Sequence, residues 1–290
     1  MMYAFYRLLG FIFRVMPINM AHWILLRICD LAYFFNPKGR AAVRENLRTV
    51  FVFEGIEPSK RLLAGCSRKT FQNFGKYLAD FIRFRKLTEK QIREFVSISG
   101  QEQLETLRKS KRGAIVLTAH YGNWELGGAL IAAMGFKVHA VVRPVASAPL
   151  ERLYTFFRMQ RGMDVIHLAH ASTGIIRALK RNEVVAMVGD RDFTGNGHPH
   201  SMMGRETSLP RGAAWFAHRL QLPILFGGVH RAPDDTYILR LAPLLEPADY
   251  PTEEALQRRI TELMEETILR DPCQWYIFNP FWPESPAGTK

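Results

Sequence analysis

At 290 residues the chain is long enough for one large domain or two small ones, and its 48% hydrophobic and 23% charged content is that of a globular protein. Three widely spaced cysteines, Cys29, Cys66 and Cys273, exclude a disulfide framework and a cysteine-rich zinc site, and favour a reducing compartment. Residues 1–112 carry the whole net charge of +12, with 21 Lys+Arg against 9 Asp+Glu, while residues 113–290 hold 18 of each; this asymmetry calls for an anionic partner, either nucleic acid or an anionic membrane surface.

The N-terminal 35 residues separate those partners. They are strongly apolar and aromatic but interrupted by Arg7, Arg14, Arg27 and Asp30, and their longest uncharged run, 15–26, has 12 residues. A spanning helix needs about 20 apolar residues. Tyr3, Arg7, Gly10 and Arg14 fall on one narrow helical stripe, with Phe, Leu, Ile and Met around the rest. That pattern predicts a helix lying at the headgroup boundary of an anionic membrane, not a nucleic-acid module. The apolar stretch is too broken for a cleaved signal peptide.

Residues 36–112 read as a basic helical region, with runs over 39–51 and 58–84, a basic cluster at Arg83, Arg85 and Lys86, and a further helical start in 87–100. From residue 113 to 290 the texture becomes that of an α/β core. Short apolar, β-branched runs at 113–120, 137–144, 164–169, 183–190, 223–231 and 237–246 predict strands. Helical patterns separate most of them, and an amphipathic helix closes the chain between Thr252 and Pro272. This alternation implies βαβ units and a mainly parallel sheet flanked by helices. In such sheets, ligands bind at the carboxyl ends of the strands. His120, Arg143 and Asp190 each follow a predicted strand directly.

His120 and Glu125 stand five residues apart in "HYGNWE", across an expected strand–loop–helix turn where Gly122 lets the backbone reverse. A carboxylate on one imidazole nitrogen would leave the other free as a base. No serine or cysteine stands nearby as a nucleophile, and Thr118 is expected to point away. The nucleophile would then be a hydroxyl of the substrate. Other signals are weaker: Asp190-Arg191-Asp192 is a lone D-x-D, and His198 and His200 are expected in a glycine-rich loop without a third ligand.

"HYGNWE" resembles the H-x4-[DE] box of the glycerolipid acyltransferase superfamily, and its Gly-Asn-Trp-Glu form resembles the lipid A biosynthesis branch and the related mycobacterial mannolipid acyltransferases. "RAAVRENLRTVF", "VVRP", "FFRMQRGMDVI", "VVAMVGDRDF" and "GRETSLPRGAAWFAHRLQLPILFG" extend the resemblance over nearly the whole chain. "DPCQWYIFNPFWPE" keeps Pro272, Gln274 and Trp275 of the branch's C-terminal segment, with Asn279 and Pro280 where basic residues usually stand.

The resemblance implies transfer of a fatty acyl chain from an acyl thioester, on acyl-carrier protein or else coenzyme A, to a hydroxyl of a glycolipid such as a lipid A precursor. His120 would be the general base and Glu125 its partner. Asn123, Arg143, Arg158, Arg161, Asp190, Asp192 and Gly204 would bind substrate, the three arginines meeting phosphate or the developing oxyanion. No cofactor or metal is implied, and the expected site is the cytoplasmic face of a bacterial inner membrane, through an interfacial helix or a single N-terminal anchor. The alternatives are a lysophospholipid or phosphatidylinositol-mannoside-type acyltransferase and, outside catalysis, a lipid-binding module.

Overall fold

The computed structural model describes residues 8, 10–13, 15–83, 88, 94–145, 147–193 and 195–282. Tyr3, Arg7 and Arg14 of the expected basic stripe, and the Arg85–Lys86 cluster, lie outside them.

The N-terminal region is built from α1 (Ile18–Phe35), α2 (Pro37–Phe53) and α3 (Lys60–Arg83). Asn36 caps α2, accepting a bond from the Gly39 amide at 2.9 Å, and Pro37 supplies the first helical position. Helix α1 lies along α3. At one end Arg83 donates to the carbonyls of Phe13 and Met16. In the middle the helices close at Gly75, where an added Cβ would come within 2.5 Å of Cys29 Sγ. At the other end Arg68 and Gln72 bond Asp30, and the Tyr33 hydroxyl meets Ser67. The outward face of α1 presents Trp23, Leu31, Phe34 and Phe35 to solvent.

The remaining elements are β1 (Val96–Ser99), α4 (Gln101–Ser110), β2 (Ala114–Thr118), α5 (Trp124–Ala133), β3 (Val138–Val142), α6 (Ala148–Gln160), β4 (Met163–His167) and α7 (Ala171–Lys180). They continue with β5 (Val184–Val188), β6 (His198–Met202), β7 (Arg205–Leu209), α8 (Gly212–Leu220), β8 (Ile224–Arg231), β9 (Tyr237–Leu241) and α9 (Glu253–Arg270). Seven strands form one sheet in the order β1-β9-β8-β2-β5-β3-β4. All its pairs are parallel except β8–β9. That pair is a hairpin across residues 232–236, too short a connection for the crossover that parallel pairing needs.

The central strands are covered on both faces, which is why they read as unbroken apolar runs. Along β2, Ile115 and Leu117 pack into one core with α7, α8 and α9, while Ala114 and Val116 pack into the other with α4 and α5. Two features differ from the sequence reading. Residues 96–99 form an edge strand beside β9, ahead of residue 113, and only alternate side chains of it are covered. His198 and His200 lie on β6 of a small hairpin with β7 rather than in a loop. Its strands, HPHSM and RETSL, are too polar to show an apolar alternation, and its signal is instead the turn. Met203 and Gly204 both have positive φ, 52° and 69°, as a two-residue hairpin turn of that type requires.

Candidate active site

Strands β2 and β5 are neighbours, in register from Ala114↔Val184 to Thr118↔Val188. Two residues past each strand end, that register sets His120 opposite Asp190. Nδ1 of His120 lies 2.6 Å from Asp190 Oδ1, and the His120 amide donates to Asp190 Oδ2 at 3.0 Å. Trp275 Nε1 donates to the same Oδ2 at 2.9 Å. Asp190 is fully buried. Burial works to raise its pKa, but the His120 charge and these hydrogen bonds outweigh it and hold the carboxyl below its ordinary value. An ionised Asp190 accepts from Nδ1–H and so fixes the tautomer that leaves Nε2 basic. His120 lines a cavity, and its Nε2 has no hydrogen-bond partner among the described residues.

The loop that carries His120 is held from two sides. The Gly122 amide donates to the Gln274 carbonyl, the Asn123 amide to the Val229 carbonyl, and the Tyr276 amide to the His120 carbonyl, at 2.8–2.9 Å. Gly122 has φ +56°, and a Cβ there would lie 1.7 Å from the Val229 carbonyl oxygen, so only glycine fits. The C-terminal segment Gln274–Tyr276 is thus a strap across the histidine loop. Gln274 and Trp275 match the C-terminal pattern of the resemblance, but nothing local in the sequence marks them for this task.

Glu125 is not the partner of His120. It opens α5, where its carboxylate is held by Arg158 of α6, with Nε to Oε1 at 3.0 Å and Nη2 to Oε1 at 2.6 Å. The expected pairing followed sequence proximity, whereas strand register brings in the residue 70 positions away. Both Glu125 and Arg158 line the cavity, as do Arg143 and Asp192. Asp192 accepts the amides of Gly195 and Gly197.

Four expected binding residues have no place on its wall, and the first is Asp190, fully buried and engaged by His120 and Trp275. Asn123 is buried as the cap of α5, accepting from the Leu126 amide at 3.0 Å and donating to the Tyr237 hydroxyl. Arg161 is buried over the Phe81 ring and bonds the Phe81 carbonyl; burial lowers its pKa to about 10. Gly204 serves the β6–β7 turn.

The cavity has a volume of about 800 Å³, in the upper part of the roughly 300–1,000 Å³ usual for ligand pockets. Its walls include Val116, Ile131, Val141, Ile175 and Phe216, together with His120 and a smaller set of polar and charged side chains. Thr118, expected to point away, and Ser172 both reach the wall. Tyr77 of α3 stacks on Trp124 at 4.1 Å between centroids, so the N-terminal helices supply part of the site. Trp124 in turn meets the His120 ring edge-on at 5.2 Å.

Residues 1–284 match the family described as bacterial lipid A biosynthesis acyltransferase. The chain is 24% identical over 268 residues to the lipid A biosynthesis palmitoleoyltransferase of Escherichia coli (strain K12), covering 90% of this chain and 84% of that one. It is 20% identical over 263 residues to the phosphatidylinositol mannoside acyltransferase of Mycobacterium tuberculosis (strain CDC 1551 / Oshkosh), covering 86% and 79%. Among solved structures, the 1-acyl-sn-glycerophosphate acyltransferase of Thermotoga maritima is similar with a TM-score of 0.42 at 13% identity, covering 89% and 99%. The protein belongs to the bacterial lipid A biosynthesis acyltransferase family, and is a membrane-associated acyltransferase that moves acyl groups to a lipid acceptor.

Proposed function

We propose that the protein esterifies a hydroxyl of a glycolipid, such as a lipid A precursor, with a fatty acyl chain taken from a thioester. Acyl-carrier protein is the first donor and coenzyme A the second. One observation carries this reading: a largely apolar cavity has on its wall an imidazole whose Nδ1 is engaged by a buried aspartate and whose Nε2 is left open. The cavity suits the acyl chain. Nε2 takes the proton of the acceptor hydroxyl as its oxygen attacks the thioester carbon. The C–S bond then breaks, and the imidazolium returns the proton to the departing thiolate. Asp190 stabilises the imidazolium between these steps, as the third member of a triad does. Glu125 acts at one remove, by fixing Arg158 beside the reacting groups.

The similarity to a phosphatidylinositol mannoside acyltransferase makes a mannolipid the second acceptor to try. The test is purified protein with dodecanoyl-carrier protein and either a phosphorylated glucosamine-disaccharide lipid or a phosphatidylinositol mannoside, with mass spectrometry of the lipid. A new ester on one acceptor supports the reading. Thioester loss that is the same with and without acceptor would overturn it.

Attachment is proposed to be interfacial, at the cytoplasmic face of the inner membrane. Helix α1 is long and apolar enough to cross a bilayer by length and composition. Yet it is tied to α3 through Asp30 and Tyr33, and α3 carries Lys60, Arg61, Arg68, Lys69 and Lys76, a density of charge that a hydrocarbon interior would admit only at high cost. A helix lying in the headgroup plane keeps both its apolar outer face and that pairing.

A further inference from the structure

The three cysteines are far apart in sequence, and the fold brings two of them together. Cys66, Lys69 and Asn73 fall at i, i+3 and i+7 on one face of α3. That face lies against Asp271 and the turn Pro272–Gln274 that follows it. Lys69 Nζ stands 3.6 Å from Asp271 Oδ2, and Asn73 Nδ2 donates to the Cys273 carbonyl at 3.1 Å. On the same face the Cys273 thiol donates a hydrogen bond to the Cys66 sulfur. Both cysteines are free, and the acyl-transfer chemistry above uses neither.

The two sulfurs are not equivalent. Cys66 is half-buried, and the exposed Gly65 beside it has open space where a Cβ would stand. The bond from Cys273 lowers the Cys66 pKa, with the Lys69 charge helping and burial and Asp271 opposing. Cys273 is 4% exposed, and its bond to Cys66 and then its burial push its thiol up. A reachable thiolate beside a protonated thiol is the arrangement in which one sulfur is oxidised and the other resolves it. Cys29 is the contrast. It is buried against Gly75, and burial first, then the Asp30 charge, raise its pKa to about 11.

We propose that Cys66 and Cys273 form a thiol–disulfide switch, in which peroxide joins them and ties the C-terminal strap covalently to α3. The Cys66 thiolate attacks one oxygen of hydrogen peroxide, the O–O bond breaks, and the departing oxygen takes a proton and leaves as water. The Cys273 sulfur then displaces the hydroxyl of the Cys66 sulfenic acid. That hydroxyl leaves with the Cys273 proton as a second water. Two thiols thus lose two electrons and two protons, and the peroxide takes them up; a thiol reductant reverses the change. In a reducing compartment such a disulfide is transient, which suits a switch rather than a structural bridge. The residues that follow Cys273 are the strap itself, where Gln274 and Tyr276 hold the His120 loop and Trp275 bonds Asp190. Drawing Cys273 onto Cys66 moves that strap at its root, so the oxidised protein should hold His120 and Asp190 out of place.

The site is tested by treating the full chain in neutral detergent with hydrogen peroxide, alkylating it unfolded and without reduction, and mapping its peptides by mass spectrometry. A Cys66–Cys273 cross-link should appear, two hydrogens lighter than the separate peptides and reversed by dithiothreitol, with Cys29 still a free thiol. Cys273→Ser should stop at a Cys66 sulfenic acid that dimedone traps, and Cys273→Ala serves if the serine variant loses its unfolding midpoint. Methionines oxidised while both thiols stay free would overturn the site, as would a disulfide made by Cys29 instead. This readout does not depend on the acceptor or the donor.

Turnover tests the consequence. Cross-linking should lower kcat by about tenfold or more, since misplacing reacting groups by about 1 Å can cost about 10²-fold, and dithiothreitol should restore it. Cys66→Ser should turn over like the reduced wild type before and after peroxide. A cross-linked protein with unchanged kcat overturns the switch, and so does a loss that persists in Cys66→Ser.

Discussion

The N-terminal helices and the edge of the sheet each hold a histidine beside a buried aspartate, and the two sites differ in what else surrounds them. In the helical region, His22 Nε2 stands 3.5 Å from Asp80 Oδ1, with side chains 8% and 3% exposed. That distance is an electrostatic contact rather than a good hydrogen bond. Asp80 is shared with Arg231 and the Tyr237 hydroxyl, and Asp235 draws in Arg231, Lys76 and His22. The cluster ties α1 and α3 to strands β8 and β9, and nothing in it opens onto the cavity lining. At the sheet edge His120 keeps one nitrogen for Asp190 and turns the other face to a cavity. The same two side-chain types make a structural clamp when every face is covered and a candidate base when one face is left open. Residue identity alone does not distinguish them.

That distinction breaks first at His120. His120→Ala should cost the ~10²–10⁴-fold typical of losing a general base, with the unfolding midpoint kept. A variant retaining more than a tenth of the wild-type rate would remove His120 from the chemistry. Asp190→Asn comes next. It should lower kcat at least about 10²-fold with little change in acceptor KM, because the amide neither fixes the tautomer nor stabilises the imidazolium. A change in KM alone would make Asp190 a binding group.

The helical pair should respond in the other currency. Asp80→Asn leaves the buried Arg231 cation with only the more distant and more exposed Asp235, and breaking a buried pair in this way costs up to about 3–5 kcal/mol. Thermal unfolding should show that loss while kcat per folded molecule holds. A fall in kcat with stability intact would mean the cluster serves the site directly. Acid sharpens the contrast. Burial alone would raise the Asp80 carboxyl, but His22, Arg231 and Tyr237 together hold it below the ordinary range. Its stabilising contribution is therefore present above the unfolded carboxylate pKa of about 3.9 and is lost as pH falls through the lower native value. Asp80→Asn should flatten the acid limb of the stability curve.

Much of this was legible in the sequence, and the omissions have physical causes. Buried parallel strands announce themselves as continuous apolar runs, so β2, β3, β5 and β8 were readable, and with them the positions of His120, Arg143 and Asp190 at strand ends. Which strands lie side by side is not written locally. The partner of His120 depends on β2 lying next to β5, and that adjacency decides Asp190 over Glu125. The same limit hid Tyr77 as a wall of the cavity and Trp275 as a donor to Asp190. Strand β1 and the β6–β7 hairpin went unseen because their strands are short and polar.

Glu125 and Arg158 offer a subtler test, since they act together and at one remove from His120. Glu125→Gln and Arg158→Gln should each reduce kcat/KM, and the double variant should be no worse than the more damaged single one, as expected of residues in contact. The pH profile of kcat/KM should stay in place in all three. A Glu125→Gln variant whose pH profile moves, with Arg158→Gln leaving it untouched, would restore the direct pairing that the sequence suggested.

The smallest effect on chemistry, and the sharpest on location, is expected at the outer face of α1. Trp23, Leu31, Phe34 and Phe35 are exposed there, although burying a side chain of this size removes roughly 1.5–3 kcal/mol of hydration cost. A membrane surface supplies that burial, and the basic excess of residues 1–112 adds about 1 kcal/mol per residue near anionic lipid, screened by salt. Deleting residues 1–35 would be a poor test, because it also strips His22, Asp30 and Tyr33 from α3 and uncovers its packed face. Trp23→Glu with Phe34→Glu keeps the inner face and changes only the outer one. The double variant should shift from the membrane to the soluble fraction, further at high salt. Its kcat on a detergent-dispersed acceptor should match wild type, while its rate on intact vesicles falls. Full-length protein that resists both salt and alkaline carbonate, with its N-terminus across the bilayer from residue 282, would show that α1 leaves α3 and spans.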